Sequence, residues 1–165
     1  MGRRGRDRTL MRASCLVAVD GTRAGVDALV WGLRHAAAHG MDLEVLTVWP
    51  AHHSVLVHEV PGHFCAPRWS ARLAQDDTLR EAVQAVPTAP VVVTTLENAD
   101  AAEAIVRASA SHQLVVLGSS GKAHAPHRLT ERVLQHAACD VVVVGPPCVD
   151  PLAPQTPDPR EGALS

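Results

Sequence analysis

Five short apolar runs, separated by stretches of helical periodicity, constrain this chain more than any other feature. They are SCLVAV at 14–19, LEVLTVW at 43–49, VVVTTL at 91–96, LVVLG at 114–118 and VVVVG at 141–145. Each is too short for a helix of ordinary length, and most are continuous rather than alternating. That pattern predicts strands covered on both faces. The first run stops at Asp20-Gly21, a turn signal, and the second at Pro50.

Between the runs the spacing changes. Residues 24–39 place Val26, Leu29, Val30, Leu33 and Ala37 at helical intervals, with Gly40 as the cap. A second helix is predicted over 69–86, with Trp69, Leu73, Val83 and Val86 on its inner face and Pro87 and Pro90 closing it. A third covers 99–111, with Ala102, Ile105 and Val106 inward, and a short fourth covers 129–138. Strand–helix alternation throughout predicts an α/β fold, a doubly wound parallel sheet of five strands. Ligands of such sheets bind at the carboxyl ends of the strands. Here those ends are Asp20, Val48-Trp49, Thr94-Thr95 and Gly118-Ser119.

Length and composition agree with one domain. The chain has 165 residues, of which 47% are hydrophobic, with one Phe and no Tyr, so the core must be built from Val, Leu and Ala. A formal net charge of −2 gives no electrostatic ground for nucleic-acid binding. No apolar run approaches a membrane span, so no membrane partner is expected. The four cysteines, Cys15, Cys65, Cys139 and Cys148, form no C-x-x-C pair, and no secretory leader is read. Free thiols in a reducing cytoplasm are the expectation. Residues 1–12 hold five Arg and read as a disordered basic arm, with Met11 as an alternative start. Residues 148–165 are Pro-rich and read as a disordered tail, leaving 13–147 as the folded domain.

Several segments carry a family likeness. CLVAVDGTRAGVDALVWGLRHAAAHGMDLEVLTVW resembles the first βαβ unit of universal stress proteins. ADAAEAIVRASASHQLVVLG is similar to that family's third helix and fourth strand. LVVLGSSGK and ERVLQHAACDVVVVGPP resemble its end. The resemblance covers residues 13–147. It implies a Rossmann-like domain with strand order 3-2-1-4-5. Electron-transfer-flavoprotein-like domains are a weaker alternative. It also implies binding of ATP or another adenine nucleotide, with magnesium as the one accompanying metal.

The family's phosphate loop reads G-x2-G-x9-G-[ST] after the fourth strand. Glycines let backbone approach phosphate, and the final pair opens a helix whose free N–H groups accept negative charge. Gly118 and Gly121 match the first two positions. His127 and Arg128 stand where Gly and Ser/Thr are expected, and only Lys122 to Pro126 lie between, so the loop is four residues short. Two readings follow. Either the phosphate site is lost, or Lys122, Arg128 and Thr130 supply side-chain donors in place of backbone ones. Thr130 is the expected helix N-cap, with Leu129 and Leu134 as a hydrophobic staple. Asp20 matches the family's acidic residue near the adenosine, and Val48 its backbone contact to adenine. Asp20 also suits a plain turn, and Val48 plain core.

Two further groupings hold residue types capable of chemistry. His52, His53, His58, His63 and Cys65, with Glu59 among them, contain good metal ligands, but their spacing fits no closed site and reads as a solvated loop. Ser119, Ser120, Lys122 and His124 lack a G-x-S-x-G elbow and a base with an orienting acid, so no catalytic residue is assigned. The expectation is a non-catalytic stress-response or signalling module that holds an adenine nucleotide weakly or not at all. An ATP-binding protein with slow hydrolysis and a structural dimer with an empty site are the alternatives. In this family the fifth strand commonly pairs across a two-fold axis, which implies a homodimer through Val141, Val142, Val143 and Val144.

Overall fold

The computed structural model describes residues 13–49, 64–86, 88–120 and 128–146. Nine elements follow one another: β1 Ser14–Ala18, α1 Arg23–His39, β2 Asp42–Trp49, α2 Ala66–Gln84, β3 Val92–Asn98, α3 Ala101–Ser109, β4 Leu114–Gly118, α4 Arg128–His136 and β5 Asp140–Val144. All strand pairings are parallel and the order is β3-β2-β1-β4-β5. The basic arm and the Pro-rich tail lie outside the described residues.

Parity along the strands divides the core in two. Cys15, Val17, Leu43, Val45, Leu114 and Val116 face α1 and α2, packing with Leu29, Leu33 and Ala82. Leu16, Leu46, Val115 and Leu117 face α3 and α4, packing with Ala104, Ile105 and Val133. Both sides of β1 and β4 are therefore apolar, which is why these strands read as unbroken hydrophobic runs. α1 begins at a Thr22 cap and ends at Gly40, whose φ of +64° suits glycine.

α2 departs from the expected facing. Val86 is buried, but Trp69, Leu73 and Val83 are exposed. The inner face carries Gln75, Thr78 and Ala82 instead. Hydrogen bonding makes this possible. Gln75 Nε2 donates to Val45 O at 3.1 Å and Thr95 O at 2.9 Å, and Thr78 Oγ1 donates to Ala74 O at 2.7 Å. Polar groups can sit inside when they find partners, and hydrophobic periodicity does not register such partners. On α1, Ala36 is buried rather than Ala37.

The amino-terminal end of the sheet is stitched across its width. Gln113 N donates to Ser14 O, and Ser14 N to Gln113 Oε1. Asp42 N donates to Ala13 O, and Leu43 N to Val91 O. Glu44 accepts from Thr95 Oγ1 at 2.7 Å and lies 3.1 Å from His112 Nε2, while His112 Nδ1 donates to Ala108 O at 2.8 Å.

Candidate functional site

With this strand order the chain winds outward from β1 to β3 along one side, then returns to β4 and β5 on the other. The reversal falls between β1 and β4. In such folds ligands bind in the crevice beyond the carboxyl ends of the strands at this reversal.

Asp20 and Gly21 turn the chain out of β1. Asp20 Oδ1 accepts from Thr22 N at 3.1 Å and from Thr22 Oγ1 at 2.6 Å. Gly21 takes φ +81°, a left-handed conformation that favours glycine. Thr22 Oγ1 in turn accepts from Gly25 N at 3.3 Å and caps α1. The turn reading of Asp20 is thus met, yet its side chain remains on the exposed surface of the crevice. The first turn of α1 presents its free N–H groups at the same place.

Gly118 closes the other wall. A Cβ at this position would fall 2.2 Å from Ala24 O and 2.4 Å from Ala24 C. The end of β4 therefore lies directly against the first turn of α1, with no room for a side chain. Beyond it, Ser119 N donates to Val144 O at 2.8 Å, which carries the chain over β5. Gly25 belongs to the same contact and was not singled out from sequence. Its own Cβ would sit 3.3 Å from Asp20 Oδ1. The spacing T-x-x-G after Asp20-Gly21 was the available signal.

Val48 lies on the opposite rim. β1 pairs with β2 as far as Leu46, where Val19 N donates to Leu46 O at 2.9 Å. β2 continues to Trp49 alongside β3. Peptide groups alternate sides along a strand, so Val48 turns its N–H and C=O the same way as Leu46. At this level β1 has already left the sheet, and the side chain of Val48 packs toward Leu46 and Ile105.

The phosphate-loop residues are placed less completely. Gly121 and Lys122 lie outside the described residues, as do His52, His53, His58 and His63. Arg128 is the first residue of α4 and is exposed. Thr130 is not the cap of that helix. It is the third residue of α4 and is buried, as is Val133 one turn later. Leu129 is inside the helix too and Leu134 is exposed, so these two do not form a staple. Thr130 and Val133, three residues apart, form the buried face of α4, which runs Arg128–His136.

Cys15 and Cys139 stand at the far end of the sheet. Burial, with Cys139 nearby, pushes the Cys15 thiol up to about 12. Burial and then Asp140 raise the half-buried Cys139. Both are protonated at neutral pH and poor nucleophiles. Among the described residues no group of three or more His, Cys, Asp or Glu is arranged to hold a metal. No helix among them is long and apolar enough to cross a membrane.

Comparison with known proteins bears on this architecture directly. The model of the universal stress protein family matches residues 11–145. A search of curated protein sequences finds no match. Among solved structures, the chain is similar to a universal stress protein in complex with cAMP, at 18% identity and a TM-score of 0.63, over 81% of this chain and 97% of that one. It is similar to a universal stress family protein from Burkholderia pseudomallei, at 26% identity and TM-score 0.54, over 82% and 97%. A universal stress protein from Archaeoglobus fulgidus in complex with dAMP matches at 16% identity and TM-score 0.57, over 81% and 98%. With the family model spanning nearly all of the described core, from β1 through β5, the chain belongs to the universal stress protein family.

Proposed function

We propose that this protein is a non-catalytic stress-response module of the cytoplasm whose sheet crevice takes an adenine nucleotide weakly. The observation that supports the reading is that Asp20, Val48 and Gly118 all stand at carboxyl ends of adjacent strands, Asp20 exposed and Gly118 packed against the Ala24 backbone at the start of α1. The Val48 N–H and C=O offer a donor and an acceptor to the edge of an adenine. Asp20 offers a carboxylate to ribose hydroxyls. Gly118, with Gly121, lets the backbone approach phosphate. Burial of Thr130 removes its hydroxyl as a candidate and leaves Lys122 and Arg128 as the side-chain donors for the phosphates. Magnesium would accompany a triphosphate. The missing third glycine makes the phosphate subsite the weak part. The relatives solved with cAMP and dAMP support the ligand class.

Mass spectrometry of ligand released from the purified protein, followed by calorimetry with ATP-Mg and AMP, tests this. Bound or titratable adenine nucleotide is expected, with Asp20→Ala weakening it at least about tenfold, the scale of a hydrogen bond to a charged group. An empty protein that gives no heat with either nucleotide overturns the reading and favours a structural interaction module.

We also propose a homodimer through β5. Among the described residues the strand pairs only with β4, and Val143 is exposed on it. Pairing with a second copy hides this apolar edge. Light scattering after size exclusion should give twice the 17.5 kDa chain mass. A monomer at micromolar concentration refutes the dimer.

A further inference from the structure

Trp31, His35 and His39 form a ladder along one flank of α1. Trp31 stacks on His35 with ring centroids 4.8 Å apart and planes 10° apart. His35 stacks on His39 at 4.1 Å and 26°. His39 Nδ1 lies 2.8 Å from the His35 carbonyl oxygen. A carbonyl only accepts, so Nδ1 carries the proton and donates it. In the neutral ring this leaves Nε2 as a bare lone pair. Metal-binding histidines are held in this way, with one N–H anchored on a backbone carbonyl and the other nitrogen turned to the ion. Burial, and then the neighbouring His39, hold His35 below the ordinary histidine range, which favours the neutral form that metals bind.

Spacing and access fit the same chemistry. Residues four apart share a helix face, the arrangement by which paired histidines hold zinc on a helix. The His35 and His39 ring centroids lie 4.1 Å apart. A turn of the His35 ring about χ2, a broad torsion for histidine, brings its nitrogen toward an ion faced by Nε2 of the anchored His39. His39 is exposed and His35 half-buried, so an ion reaches them without opening the core.

We propose that His35 and His39 form a two-imidazole site for a divalent late transition metal ion, copper(II) foremost. Imidazole suits copper, nickel and zinc, whereas magnesium and calcium take oxygen ligands, and copper(II) binds most tightly in the series. Two protein ligands leave coordination positions to water. The site is therefore open and exchangeable, unlike a closed four-ligand structural centre. It stands at the carboxyl end of α1, a helix of 17 residues and about 25 Å. The nucleotide crevice lies at the other end, so this site does not rest on the nucleotide reading.

The test is a Cu2+ titration of the full chain followed in a 1H–15N NMR spectrum. Paramagnetic broadening at substoichiometric Cu2+ should remove the Trp31 indole signal and the amides of residues 35–40. His39→Gln, which keeps a helix former at an exposed position, should raise the Cu2+ needed at least about tenfold with unchanged circular dichroism. Replacing His52, His53, His58 and His63 together by Ala should leave the Trp31 broadening in place. Acidification should restore the signals, because protons compete with the ion for the imidazole nitrogens. Broadening that ignores His39→Gln, that disappears with the four loop histidines, or that is absent at excess Cu2+ overturns the site.

Discussion

Gly118→Ala is expected to destabilise the protein by about 3 kcal/mol, the upper end of the usual cost of overpacking. The added methyl would meet the Ala24 carbonyl at 2.2 Å, and both contacts under 2.5 Å are backbone atoms. A flexible side chain could swing aside, but the first turn of α1 cannot. Either the end of β4 withdraws from α1 or α1 shifts on the sheet, and each loosens the crevice. Nucleotide binding should fall together with stability. For a domain of this size the loss corresponds to a melting temperature lower by roughly 10 °C. Gly145→Ala is the control, since nothing lies within 4 Å of its added methyl. Denaturant unfolding of both variants decides the matter. A Gly118→Ala protein within about 0.5 kcal/mol of the parent would show that the strand–helix contact is softer than described.

Gly32→Ala should cost less and behave differently, because its obstacle is a side chain. The new methyl would lie 2.6 Å from Val17 Cγ2, on the fully buried face between α1 and β1. Alanine improves helix propensity by about 1 kcal/mol over glycine, which offsets part of the clash. A net loss of about 1–2 kcal/mol is expected. Val17→Ala alone should cost about 2 kcal/mol by opening a cavity. Combined, the methyl added at position 32 fills part of the space left by the two methyls that Val17→Ala removes. The double variant should be more stable than the summed losses predict by about 2 kcal/mol. Strict additivity in a double-mutant cycle would show that the two residues do not share that space.

Residues with strong local signatures were legible from sequence alone. The five apolar runs became the five strands, and Gly40 became the cap of α1. Asp20-Gly21 became the turn at the crevice mouth, and the universal stress family likeness supplied the strand order that the structure has. What was not legible depended on partners distant in sequence. Trp69, Leu73 and Val83 carry a clear apolar stripe and still face outward, because Gln75 finds two sheet carbonyls that no pattern in α2 announces. Thr130 looked like a helix cap, since hydroxyl residues are good caps, and its burial beside Val133 appears only once α4 is docked. Gly118 was chosen as a phosphate residue. Its contact with Ala24 gives it a second task that a loop motif does not reveal.

The stitching of the sheet's amino-terminal end separates what holds the strands together from the end where a ligand would sit. Ser14, Asp42, Gln113 and the Glu44–His112 pair bind the strands together at the end remote from the crevice. Loops at the opposite end then contribute little to holding the strands in register. Closing a loop of different length costs only about 0.6 kcal/mol per doubling. Loops at the crevice end can therefore differ in length at little cost to the domain, so the strands and any ligand loop answer to separate physical constraints.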